Sequence, residues 1–155
     1  MRWLKGNDEI YPPEINWLKP RTRRSHKLPE ELITQEEVLK MAEVADNLRN
    51  KAFVLILYET GCRVGELISV KMKNVQFDQY GAILRVTGKT GSRRVRLVVA
   101  IHNLSYWLES RPWKEDPNAA LWPKLTTLGR GQNLDYHNIR DLLLNAKARA
   151  NQKTS

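Results

Sequence analysis

The stretch that most constrains this chain runs from Tyr58 to Leu97. It opens as Tyr58-Glu59-Thr60-Gly61-Cys62-Arg63-Val64-Gly65-Glu66-Leu67 and closes as Gly88-Lys89-Thr90-Gly91-Ser92-Arg93-Arg94-Val95-Arg96-Leu97. The first part reads as a helix stopped by Gly61, since glycine takes positive φ without strain. A short helix then covers Arg63 to about Val70, with Leu67, Ile68 and Val70 facing inward. After it the apolar period falls to two, the signature of strands. Val75 and Phe77 mark a first short strand and Asp78 to Gly81 a turn. Ile83, Leu84 and Val86 lie in a second strand, and Val95, Leu97 and Val99 in a third. The last two are joined by a tip that carries Lys89 between glycines.

The flanking segments are helical. Thr34-Gln35-Glu36-Glu37 is a capping box, in which the threonine caps and Glu37 reaches back. Val38, Met41, Ala42 and Ala45 give that helix one apolar face, and it is expected to end near Asp46-Asn47. A second helix covers Leu48 to Thr60. Its run Ala52 to Tyr58 is apolar nearly all round, which predicts a central core helix. Asn103 to Arg111 is helical again, with Leu104, Trp107 and Leu108 on one face. Pro112, Pro117 and Pro123 mark a long loop anchored by Leu121-Trp122. The last helix runs from Leu134-Asp135 to about Ala150, with Ile139, Leu142, Leu143 and Ala146 as its stripe. The expected fold class is mainly α with a small three-stranded antiparallel sheet. Ahead of it, Pro12, Pro13 and Pro20 break any helix, so the first residues read as a tether.

Charge points to the partner. The chain has 155 residues, enough for one domain with a real core, and a net charge of +9. Its pI is near 9.8. A polyanion is implied, nucleic acid ahead of an acidic membrane surface. The one cysteine, Cys62, excludes an intrachain disulfide and a multi-cysteine zinc site, and its apolar surroundings predict a packed small hydrophobe. The N-terminus has no apolar run of signal-peptide length, and Ala52 to Tyr58 is too short to span a bilayer. A cytoplasmic protein with no membrane partner is the expectation.

Five basic residues fall on the predicted sheet: Arg85, Lys89, Arg93, Arg94 and Arg96. Alternation places Arg94 and Arg96 together, opposite Val95 and Leu97. A lysine on a glycine-flanked tip suits reaching into a groove or protonating a leaving oxygen. The competing reading is a charged, solvated face of a half-buried sheet. Arg63 sits at the start of a helix, a poor place for a cation unless an anion is bound there too. Glu66, three residues on, shares its face and is placed to hold the guanidinium. The competing reading is an ordinary intrahelical ion pair, worth a few tenths of a kcal/mol when exposed. In the tether, Arg21, Arg23, Arg24 and Lys27 form a basic run that either rides along phosphates or is a solvated linker.

Taken together, Thr60 to Leu67, Gly88-Lys89-Thr90-Gly91 and Arg93 to Leu97 resemble the tyrosine recombinases, the phage-integrase family. With Gly-Lys-Thr-Gly and the later Leu121-Trp122-Pro123, the chain looks most like archaeal integrases. The resemblance spans roughly Leu28 to Ala150. It implies a mainly helical catalytic domain bearing this small sheet. It implies that Arg63 binds the scissile phosphate of duplex DNA, that Lys89 is general acid for the departing 5′-hydroxyl, and that Glu66 supports the arginine. Arg85, Arg93, Arg94 and Arg96 then become DNA contacts. Such chemistry needs charge stabilisation at phosphorus and a proton for the leaving oxygen. Arginine and lysine supply both, so no metal and no cofactor are expected, and no small-molecule substrate.

The family pattern continues with His-x-x-Arg, a further His or Trp, and a nucleophilic tyrosine. His137-Asn138-Ile139-Arg140 has the first spacing. It falls inside the helix that precedes that motif in the family, so both polar residues read as surface positions. Neither Tyr58, Tyr80, Tyr106 nor Tyr136 matches the nucleophile. The expected organisation is residues 1–27 as linker and remnant of a preceding DNA-binding domain, then 28–155 as a partial catalytic domain. The chain is expected to bind DNA without cleaving it, and the complete protein to assemble as an oligomer on DNA. A naturally truncated DNA-binding regulator is the second reading. A basic RNA-binding protein is the third, disfavoured because the sheet lacks paired aromatics for base stacking.

Overall fold

The computed structural model describes residues 32–89 and 91–154. Five helices and three strands follow the chain as α1 (Gln35–Glu43), α2 (Leu48–Thr60), α3 (Val64–Ile68), a 3-10 turn (Met72–Asn74), β1 (Val75–Asp78), β2 (Gly81–Gly88), β3 (Gly91–Leu97), α4 (Ile101–Ser110) and α5 (Tyr136–Thr154). The fold class is the one expected. The basic run at Arg21, Arg23, Arg24 and Lys27 lies outside the described residues.

Local chemistry explains each start and stop. The Thr34 hydroxyl accepts from the Glu37 N–H, and the Glu37 carboxylate accepts from the Thr34 N–H at 2.7 Å, which closes the capping box. The helix ends at Glu43, a few residues before the expected Asp46-Asn47, because Asn47 caps the next one by accepting from the Asn50 N–H. Gly61 stops α2 at φ 58°, the left-handed turn that glycine favours. Asp135 and Asn138 cap each other across the first turn of α5 through reciprocal backbone-to-side-chain bonds of 3.0 and 2.9 Å.

The helix α2 is the core element. Ala52, Phe53, Val54 and Ile56 are buried, and α2 packs against α1, α4 and β3. Trp122 meets the Phe53 ring edge-on, with centroids 5.2 Å apart, a favourable aromatic geometry. The loop anchor read as Leu121-Trp122 is fully buried. The loop's backbone extends the core, since the Leu121 N–H bonds the Val70 carbonyl at 2.9 Å and the Leu134 N–H bonds that of Trp122 at 3.0 Å. Among the described residues no helix is long and apolar enough to cross a membrane.

The sheet is antiparallel in the order β1-β2-β3. Ala82 pairs with Leu97, Leu84 with Val95 and Val86 with Arg93 on one face, while Ile83 pairs with Arg96 and Arg85 with Arg94 on the other. Ala82, Leu84, Val86 and Leu97 are buried, so the first face is the inner one. The third strand stops at Leu97, not at Val99. The Glu59 carboxylate at the end of α2 accepts the N–H groups of Val98, Val99 and Ala100 at 2.7, 2.9 and 2.8 Å. Those amides are thereby withdrawn from any strand ladder, and Val99 turns outward.

Candidate nucleic-acid interface

Two elements build the site, and a carboxylate joins them. The Gly61 cap turns the chain so that Arg63, at φ −65° and ψ 141°, becomes the residue before α3. Its guanidinium is exposed, with no hydrogen bond or ion pair to the described residues. Because α3 has only five residues, its dipole is short, and the guanidinium is the main positive charge at this helix start. Lys89 follows Gly88, which pairs with Gly91 at the end of the hairpin. It is likewise exposed.

Glu66 lies between them and is 5% exposed. Sequence reading expected it to hold the Arg63 guanidinium from the same helix face. The structure instead gives it the Arg63 backbone N–H at 3.3 Å and the Arg93 guanidinium at 2.7 Å. An i, i+3 side-chain pair does not form because the carboxylate turns inward under the hairpin, where Arg93 reaches it from the sheet. The Arg93 bond, ahead of the Arg63 N–H, holds the Glu66 carboxyl below its ordinary pKa. The same pairing raises that of Arg93. Cys62 is buried, its sulfur 3.8 Å from an Arg93 nitrogen, in keeping with a packed thiol.

The sheet arginines divide by face. Arg93 occupies the inner face opposite Val86, whereas Arg94 and Arg96 share the outer face as expected. Arg96 is forked onto Asp78 at 2.8 and 2.9 Å and lies over the Tyr80 ring, 5.9 Å from its centroid. This pairing lowers the Asp78 pKa. Arg85 and Arg94 sit directly opposite one another, both exposed and without a partner among the described residues. Two like charges in register disfavour the sheet unless an anion lies between or above them. His137 and Arg140 are exposed on α5, away from any hydrogen-bonded link to Glu66 among the described residues. Among those residues no group of three His, Cys, Asp or Glu side chains is gathered that could hold a metal.

Sequence reading missed Glu59, whose three amide bonds fix the exit of β3 against the end of α2. One signal was available: a carboxylate in the last turn of a helix opposes the helix dipole, and so calls for donors from elsewhere. The alternation that joined Arg94 to Arg96 also puts Arg93 with Val95 and Leu97.

The phage integrase family matches residues 31–155. The chain belongs to that family. Over 75 residues this integrase-family chain is 43% identical to tyrosine recombinase XerA of Pyrococcus horikoshii, covering 46% of this chain and 26% of the relative. Over 94 residues it is 39% identical to tyrosine recombinase XerD of Vibrio vulnificus, covering 56% of this chain and 30% of the relative. The chain thus spans well under half the length of these curated relatives, and the XerA match supports the archaeal-type resemblance. Its fold is shared with the crystal structure of XerA recombinase, at a TM-score of 0.64 and 24% identity over 77% of this chain and 42% of that one. It is shared also with XerH site-specific recombinase bound to difH substrate in a pre-cleavage complex. There the TM-score is 0.62 and identity 23%, over 81% of this chain and 38% of the other.

Proposed function

We propose that this chain is the phosphate-binding half of a site-specific recombinase catalytic domain acting on duplex DNA in the cytoplasm. The observation that carries it is the junction at Glu66, where the strand after Lys89 and the backbone of Arg63 meet on one carboxylate in an integrase-family chain. Arg63 neutralises the scissile phosphate, and five donors in a fixed fork suit a phosphoryl oxygen. Lys89, on the hairpin end, delivers the proton to the leaving 5′-oxygen. Arg85, Arg94 and Arg96 lie along the flanking backbone, joined by Arg21, Arg23, Arg24 and Lys27. In the complete protein a tyrosine attacks phosphorus, forming a 3′-phosphotyrosine, and the subunits assemble on DNA as an oligomer. The fold shared with a site-specific recombinase bound to its difH substrate, together with membership of the integrase family, supports DNA as the partner class.

Within these 155 residues the described tyrosines lie on α2, in the β1–β2 turn, on α4 and at the start of α5. None stands in the family's nucleophile position. On this reading the chain binds duplex DNA in a salt-dependent way and forms no covalent product. Incubation with a nicked suicide duplex, followed by denaturing electrophoresis, checks the second half of that statement. Fluorescence anisotropy with duplex DNA and with single-stranded RNA checks the first. A covalent adduct, or preference for RNA, would overturn the reading.

A further inference from the structure

We propose that Arg93 is a positioning residue for the Lys89 hairpin and makes no phosphate contact of its own. This deepens the reading above and rests on it for its DNA arm. Arg93 stands on the inner face of β3, two residues before Val95 and four before Leu97, and is the inner-face side chain nearest the hairpin end. An apolar side chain would continue that face. The guanidinium there is explained by its target, the buried Glu66 carboxylate, 2.7 Å away. A buried carboxylate needs a partner, and among the described residues Arg93 is the one side chain paired with it. The paired strand β2 leaves room for the same carboxylate. Gly88, the residue before Lys89, offers no Cβ, and one built there would meet the Glu66 side chain from Oε1 to Cγ. On the outer face the Thr87 and Ser92 hydroxyls, one pair further from the tip, share a hydrogen bond of 2.9 Å. The end of the hairpin is thus fastened on both faces, and on the inner one the anchor is the carboxylate that also takes the Arg63 N–H. Among the described residues Arg85 and Arg94 have no such tie, which leaves both available to phosphates.

The test uses the 155-residue chain with Arg93→Gln, Arg93→Lys, Lys89→Ala and the double variant Arg93→Gln/Lys89→Ala. Duplex-DNA affinity is measured across a salt series, and amide hydrogen exchange is followed through residues 84–97. Arg93→Gln is expected to weaken DNA binding several-fold in the parent chain. In the Lys89→Ala background it should change affinity by less than about two-fold, the range expected of a residue whose effect has already been removed. Exchange should rise in the hairpin alone, with α2 and α5 as protected as before, and Arg93→Lys should restore it. A loss of about one unit of salt slope in both backgrounds would identify a direct phosphate contact and overturn the proposal. Unchanged hairpin exchange in Arg93→Gln would overturn it also. Should the parent chain fail to bind duplex DNA, the functional reading falls, and the exchange arm still decides whether Arg93 holds the hairpin.

Discussion

Glu66 occupies the space in which Gly88 would carry a side chain. A Cβ on Gly88 would lie 3.0 Å from Glu66 Cδ and 3.1 Å from Cγ, with Oε1 nearer still. The two residues are 22 positions apart in sequence, one on α3 and the other beside Lys89. Their contact brings the helix that follows Arg63 against the hairpin. Glu66 cannot swing aside freely, because Arg93 holds it from the sheet.

Gly88→Ala is therefore expected to damage the site by steric means alone. Gly88 is not among the positive-φ glycines, so alanine meets no backbone penalty there. Overpacking costs about 1–3 kcal/mol, which corresponds to a fall in Tm of roughly 2–4 °C per kcal/mol for a chain of this size. Gly65→Ala is the control, since a Cβ there meets nothing within 4 Å and a helical glycine gains from alanine. Differential scanning calorimetry should show Tm lowered by Gly88→Ala and unchanged or raised by Gly65→Ala.

The same carboxylate sets a pH dependence. Glu66 is held below the usual glutamate value of about 4.3, first by Arg93, with the Arg63 N–H and charge adding to it. A depressed carboxyl contributes stability that is complete above the ordinary value and is lost as pH falls through the folded one. Hairpin order should accordingly hold through neutral and mildly acidic pH and fail only below the ordinary glutamate range. Carbon-13 NMR of the Glu66 carboxyl should give a titration midpoint below that range in the parent chain. In Arg93→Gln it should rise toward the ordinary value. An ordinary midpoint in the parent chain would mean that the ion pair does not form in solution.

The elements were legible where one local rule acted alone. Thr34 with Glu37, Gly61 after an apolar helix, and the change to period two after Val70 each fixed an element, and the three-stranded antiparallel sheet followed. Boundaries slipped where a distant group intervened, as when Glu59 ended β3 by taking the amides of Val98 to Ala100. Arg63 and Lys89 stood out through a family resemblance, whereas their shared anchor did not. Which arginine meets Glu66 depends on strand register, and register appears in the sequence only as alternation. Asp78 was read merely as a turn residue, although it neutralises one of the arginines counted as a DNA contact.

Arg49 tests the core independently of the site. It is buried on α2, donating to the Pro123 carbonyl at 2.7 Å and to Asn50 Oδ1 at 3.0 and 2.7 Å. Burial lowers its pKa to about 10, so it stays charged at neutral pH. Arg49→Met would leave both acceptors buried and unpaired, at about 1–3 kcal/mol. Tm should fall while the salt dependence of DNA binding keeps its slope. A reduced slope would show that Arg49 meets phosphate.

Asp78 decides how much of the outer face DNA can use. Its carboxylate forks onto Arg96 and also accepts the Tyr80 N–H at 2.9 Å. Arg85 and Arg94 have no partner among the described residues, so Arg85→Ala with Arg94→Ala should lower the salt slope by about two units if each meets one phosphate. Arg96→Ala alone should lower it by less, since the guanidinium it removes is already paired. Asp78→Asn keeps an acceptor for Tyr80 and removes the competing charge. It should tighten DNA binding at low salt and steepen the slope by up to about one unit as Arg96 turns to the backbone. Anisotropy titrations across the salt series separate these outcomes. An Asp78→Asn chain with parent affinity and parent slope would show that Arg96 stays on the protein when DNA is bound.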